Sequence, residues 1–255
     1  MLGNKSEVVS DELGRRDQPW ARSLPGRVAR EMVLRGVFGS IVRTYSRREI
    51  AGLEHLERLA GPAVFVANHC SHVDTPVLLL SLPGRWRRRT AVAAAADYFY
   101  TRRVLAVAVS LAFGTVPLER RGHGAGRAPH IADLLERGWS LVVFAEGTRS
   151  RDGRVGRMRS GAAVLAAEHG LPIVPVHISG THAAMPIGRR WMVRPAVGGR
   201  HTISVRFGAP IDVSERAEAM TRVRDFMKSC GAELRPEPDR NPGAASVAVD
   251  VAASR

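Results

Sequence analysis

Seven residues, Asn68-His69-Cys70-Ser71-His72-Val73-Asp74, gather four side chains able to do chemistry. A histidine and an aspartate make a base and its orienter. The carboxylate accepts one ring N–H, fixes the tautomer and stabilises the imidazolium that forms when the other nitrogen takes a proton. Residues five apart on a continuous helix differ by about 140° around its axis. The spacing therefore predicts His69 in a strand-to-helix turn, with Asp74 in the first helical turns reaching back and Pro76 tolerated there. Other chemistries compete. Asp74 could be an early-turn acid favoured by the helix dipole, with His69 a capping or core residue. His69, His72 and Asp74 could ligate zinc, although no neighbouring histidine or cysteine cluster completes that site. Cys70 could be a nucleophile beside its histidine, but adjacent side chains tend to point apart.

A second group, Phe144-Ala145-Glu146-Gly147-Thr148-Arg149-Ser150, places a carboxylate, a glycine turn, a hydroxyl and an arginine together. Gly147 lets backbone approach a ligand closely. Arg149 can grip a phosphate, and Glu146 can hold a polyol hydroxyl or orient that arginine. A third, Gly114 to Arg121, ends an apolar stretch on Glu119, Arg120 and Arg121, and these arginines would otherwise pass for solvated surface charge. A fourth, Ile173-Val174-Pro175-Val176-His177-Ile178, reads as a strand whose proline suits an edge or a bulge.

These groups need a frame. Ala63–Ala67 is a short apolar strand running into Asn68, and Ser140–Phe144 is a strand running into Ala145. Thr90–Ala96, Leu171–Ile178 and His201–Phe207 read as further strands, Gly161–His169 as a helix, and Val104–Phe113 as a buried helix. Strands alternating with helices predict an α/β domain with a largely parallel sheet flanked by helices. In such sheets ligands bind beyond the carboxyl ends of strands. Ahead of this domain, Val28, Met32, Val33, Val37, Ile41 and Tyr45 share one helical face, with arginines largely elsewhere. That face could lie on lipid or on the core.

Composition narrows the partners. The 255 residues can bury one good core. Net charge is +14, and all but Lys5 and Lys228 of the 38 basic residues are arginine. Nucleic acid, anionic lipid, a phosphorylated substrate or plain compositional bias would each account for that. Aromatic residues are only 5% and do not interleave with the arginines as stacking platforms would, which argues against nucleic acid. Two distant cysteines, Cys70 and Cys230, imply no disulfide framework. No apolar run reaches the ~20 residues of a spanning helix, and the N-terminus has no secretory pattern. A cytoplasmic compartment is expected.

In this order and spacing the four groups resemble the glycerolipid acyltransferase family, with the bacterial 1-acyl-glycerol-3-phosphate acyltransferases the nearest type. Asn68, His69 and Asp74 match its first motif. Gly114, Leu118, Glu119 and Arg120 match the second, and Val174, Pro175 and Val176 the fourth. Phe144, Glu146, Gly147, Thr148, Arg149 and Ser150 match the third, in which Ala145 replaces the usual proline. The resemblance covers roughly Ala51 to Ile211. It implies that His69 deprotonates an acceptor hydroxyl and Asp74 orients it. Arg120, Glu146, Gly147, Thr148 and Arg149 would hold the acceptor's phosphate and glycerol. It implies an acyl-CoA or acyl carrier protein donor, no metal or other cofactor, and lysophosphatidic acid or a related lipid as acceptor. Another lysolipid or a glycolipid hydroxyl is the alternative. The expected layout is a loose arm over 1–24, an amphipathic membrane-surface helix over 25–48, the acyltransferase domain over 49–235 and a disordered tail over 236–255. The expected location is the cytoplasmic face of an anionic membrane, held peripherally.

Overall fold

A computed structural model describes residues 14–96, 103–118, 129–214 and 216–235. Seven strands form one sheet: β1 (Ser46–Ala51), β2 (Val64–Ala67), β3 (Thr90–Ala95), β4 (Thr115–Leu118), β5 (Ser140–Phe144), β6 (Ile173–Ser179) and β7 (His201–Phe207). Their order is β1-β7-β6-β2-β5-β3-β4. Every pair is parallel except β6 with β7. The fold is the expected α/β arrangement. β2 lies at the centre and is buried along its whole length, which is why it reads as an unbroken apolar run.

The two-residue pleat divides the core. Phe65 and Ala67 face one layer, packed with Leu34, Val42, Val77 and Leu78. Val64 and Val66 face the other, packed with Leu134, Leu135, Ala163, Leu165 and Val223. After α1 (Leu24–Met32), the first layer is built by α2 (Gly39–Tyr45), α3 (Leu53–Glu57), α4 (Asp74–Ser81) and α5 (Gly84–Arg87). After α6 (Arg103–Phe113), the second is built by α7 (Pro129–Glu136), α8 (Gly161–Glu168) and, beyond the short α9 (Thr181–Ala184), by α10 (Arg216–Ser229).

The N-terminal helix is more complex than its pattern. A π-helical segment, Val33–Phe38, joins α1 to α2. Its wider turns advance the register, so the predicted stripe splits. Val28, Met32 and Val37 are exposed, whereas Ile41 and Tyr45 pack on the core beside the buried Leu34 and Val42. The arm expected to be loose up to residue 24 is ordered at its end: Pro19–Arg22 forms a 3-10 turn that buries Ala21, and Asp17 pairs with Arg22. Residues 1–13 and the expected tail, 236–255, lie outside the described residues.

α1 is fastened to the sheet by Arg30, which is 2% exposed. Its guanidinium donates to the carbonyls of Thr90 (3.0 Å), Arg87 (2.9 Å) and Arg88 (3.1 Å) and lies over the Trp139 ring. Burial without a bonded carboxylate lowers its pKa to about 10. Gly114 makes room for it: a Cβ there would stand 2.1 Å from the Arg30 Nη1, and the φ of +64° favours glycine anyway.

One expectation is corrected and another holds. α6 is helical but not buried all round: Ala106, Ser110 and Ala112 face inward while Val104 and Val107 are exposed. Pro175 sits in an interior strand, paired with Val66 of β2, and at a bulge as its residue type suggested. Between the Val176–Phe207 and Ile173–Ile211 pairs the opposing stretch 208–210 carries one residue more than β6, and the Pro175 carbonyl accepts from Gly208 N–H (2.8 Å). A strand residue's N and C=O point the same way, so the missing N–H faces the stretch where the two chains fall out of register.

Candidate active site

β6, β2 and β5 are parallel neighbours, and the chain leaves their carboxyl ends side by side. Ala67 is in register with Phe144 and with Val176. Asn68 extends the junction. Its Nδ2 donates to Ile178 O and its Oδ1 accepts from Ile178 N–H, both at 2.8 Å, so its amide substitutes for one more rung of the sheet. His69 therefore emerges at a fixed point at the carboxyl end of the central strand.

Asp74 opens α4 and is fully buried. Its Oδ2 accepts from His69 Nδ1 (2.9 Å), Cys70 N–H (2.8 Å) and Ser71 N–H (2.8 Å). A carboxylate can only accept, so Nδ1 carries the proton and the Nε2 lone pair is left for a reactant. The His69 side chain keeps 18% exposure, and its Nε2 has no hydrogen bond among the described residues. Phe144 stacks on the imidazole, with centroids 4.1 Å apart and planes at 22°, and fixes the ring's plane. This is the turn geometry that the spacing of five predicted.

Glu146 is buried, and the structure shows directly what its oxygens do. Oε1 accepts from His69 N–H (2.8 Å) and Oε2 from Gly156 N–H (2.7 Å). Burial pushes its carboxyl above the ordinary range, and the two amides offset part of that rise. The His69 carbonyl accepts from Ser150 N–H (2.7 Å), so the Phe144–Ser150 group clamps the first from both sides. Gly147, at φ +70°, turns the chain between these contacts. Ala145, in place of proline, has an N–H to give and donates it to Ala67 O (3.2 Å), lengthening the β2–β5 ladder.

Beyond this turn Thr148 is exposed and Arg149 half-exposed. Among the described residues the Arg149 guanidinium makes no hydrogen bond or ion pair, and after desolvation its charge helps to lower the pKa of the nearby His72. Arg120, Glu119 and Arg121 lie outside the described residues. Cys70 is buried against Thr181 Oγ1 (3.2 Å), and burial raises its thiol pKa to about 12, so little thiolate forms. Among the described residues no three His, Cys, Asp or Glu side chains cluster as metal ligands. The roles of Phe144, Gly156 and the Asn68 amide went unread in the sequence. Only the adjacency of Asn68 to His69 hinted at the last.

The Acyltransferase family matches residues 47–179, which include both the His69 turn and the Glu146 turn. The chain is 34% identical over 147 residues to the chloroplastic 1-acyl-sn-glycerol-3-phosphate acyltransferase BAT2 of Brassica napus, covering 56% of this chain and 40% of that one. It is 29% identical over 183 residues to the 1-acyl-sn-glycerol-3-phosphate acyltransferase of Limnanthes douglasii, covering 71% and 59%. The chain thus spans about half the length of these curated relatives. In fold it is similar to the crystal structure of the 1-acyl-sn-glycerophosphate acyltransferase PlsC from Thermotoga maritima. There the TM-score is 0.61 and the identity 23%, over 88% of this chain and 85% of that one.

Proposed function

The chain belongs to the acyltransferase family, and on that premise we propose that it moves a fatty acyl group from a thioester to a hydroxyl of lysophosphatidic acid or a related glycerol-phosphate lipid. The observation that carries this is the His69 Nδ1–Asp74 Oδ2 bond, with Asp74 buried and the other ring nitrogen left for a reactant. A thioester is already activated, so the enzyme's main tasks are a base and a positioned alcohol.

In this mechanism His69 Nε2 takes the hydroxyl proton as the oxygen attacks the thioester carbonyl. The tetrahedral intermediate collapses with loss of the thiolate, which recovers the proton from the imidazolium. Asp74 holds the tautomer and the charge that forms. Arg149, with Thr148 beside it and Arg120 from the second motif, binds the acceptor's phosphate. Gly147 gives that backbone its turn. Glu146 acts through His69, as the post that keeps the base in place.

The lipid substrates call for a surface. No helix among the described residues is long and apolar enough to cross a membrane. Leu24, Val28 and Met32 are exposed along α1, with Arg27 and Arg35 close by in sequence, and Val104 of α6 is 84% exposed. We assign these to peripheral docking on the anionic cytoplasmic face of a membrane. The test is purified protein with acyl-CoA or acyl carrier protein thioester and a panel of acceptors, read as released thiol. Release with monoacylglycerol phosphate above glycerol-3-phosphate and unphosphorylated lysolipids supports the assignment. Release independent of a phosphate on the acceptor contradicts it.

A further inference from the structure

Between α9 and β7 runs a long irregular segment, Met185-Pro-Ile-Gly-Arg-Arg-Trp-Met-Val-Arg-Pro-Ala-Val-Gly-Gly-Arg200. Its side chains are sorted in an unusual way. Met192 is buried in the core layer shared with Leu34 and Val42, and Val193 N–H donates to Ala184 O (2.8 Å). The middle of the segment is therefore anchored. Next to that anchor Trp191 is 58% exposed, Ile187 is exposed, and Arg189, Arg190 and Arg194 are exposed with them. From Glu168 to Asp212 the chain has no acidic residue between, so nothing within this stretch neutralises the arginines.

The segment's position is equally informative. At its start the Met185 carbonyl accepts from Ser71 Oγ (2.8 Å), inside the catalytic turn. Further along, Arg194 lies over the Tyr45 ring and Arg200 Nη1 donates to Arg43 O (3.1 Å). It thus links the His69 turn to the end of α2, the continuation of the helix assigned above to the membrane. A large amphipathic ring with an aliphatic neighbour, surrounded by unneutralised arginines, suits an anionic bilayer surface: the ring seats at headgroup depth and the guanidiniums bind phosphates.

We propose that the Ile187–Arg194 tip is a second membrane contact, separate from α1, that seats the mouth of the catalytic turn on anionic lipid. The inference rests on the reading that the enzyme works at a membrane, but its test does not depend on turnover. Trp86 and Trp139 are buried, so in a Trp20→Phe background Trp191 is the remaining exposed indole among the described residues. Vesicles of phosphatidylcholine and phosphatidylglycerol carrying brominated tails should quench that protein's fluorescence, and the added change Trp191→Phe should remove most of the quenching. Arg189→Gln with Arg190→Gln should weaken binding to the same vesicles roughly 10- to 30-fold, at about one charge's worth of headgroup attraction per arginine. Thiol release with a short-chain, monodisperse acceptor should stay unchanged in these variants. Quenching that persists without Trp191, or vesicle binding indifferent to the two arginines, overturns the proposal. So does a shift of Trp191 emission by an acidic carrier protein but not by vesicles. If the protein transfers no acyl group at all while Trp191 is still quenched, the docking surface stands and the acyl-transfer reading falls.

Discussion

The oxygen Oδ2 of Asp74 takes three N–H donors while His69 keeps an accessible nitrogen, and this asymmetry is what separates the base we propose from its support. Asp74→Asn would leave the packing nearly intact but put the tautomer at risk. The expected outcome is a kcat lower by about 10²- to 10⁴-fold with little change in KM, measured by steady-state kinetics. Glu146→Gln tests a different dependence. One of its two amide partners would then face an NH₂ donor instead of an acceptor. Loss of that bond should cost about 1–3 kcal/mol locally, appearing as a lower kcat without a raised KM for the phosphorylated acceptor. A raised KM with unchanged kcat would instead mean that Glu146 touches the acceptor. His177 offers a pH prediction. Burial, with Arg206 beside it, lowers its pKa to about 4. Its folded value is thus depressed, so between about pH 6.5 and 4 the unfolded chain binds the extra proton. Stability should fall as pH drops through that window, and His177→Gln should flatten the acid limb of a denaturation-midpoint profile.

Among the elements, α1 depends on one buried cation. Arg30→Ala would strand three carbonyls at the α5–β3 junction, and chemical denaturation should show a loss of about 2–4 kcal/mol. Arg30→Lys should rescue little, because an ammonium cannot reproduce the planar fork. The elements that carry the site were legible beforehand for a local reason. Val64–Ala67 and Ser140–Phe144 are buried on both faces, so their apolar runs mark them, and polar motif residues begin where each run stops. The spacing of His69 and Asp74 then admitted few geometries. What stayed hidden depends on partners distant in sequence. Ser46–Ala51 is a polar stretch that becomes an edge strand only because β7 pairs with it. The π-helical segment shifts a register that simple periodicity assumes constant. Arg30 reads as one more surface arginine until Gly114 and Thr90 are placed around it. The partner of the bulge at Pro175, the stretch just past β7, likewise lies far off in sequence.

In the molecule as a whole, the sheet presents the His69 turn and Arg149 beyond the carboxyl ends of its central strands, while α1 and α6 carry the exposed apolar residues that we propose face lipid. Leu24→Ser with Val28→Ser and Met32→Ser should reduce sedimentation with anionic vesicles while sparing turnover of a soluble short-chain substrate. Raising salt should weaken the binding further, as expected for arginines at a charged surface. Unchanged sedimentation would mean that this face has another partner. The most direct test of the central claim is thiol release by the intact protein and by His69→Ala, with acyl-CoA and a monoacylglycerol phosphate, alongside their unfolding curves. The account predicts that His69→Ala loses transfer to the level of the uncatalysed reaction while its unfolding midpoint stays close to that of the parent. Substantial residual transfer by a folded His69→Ala protein would contradict it.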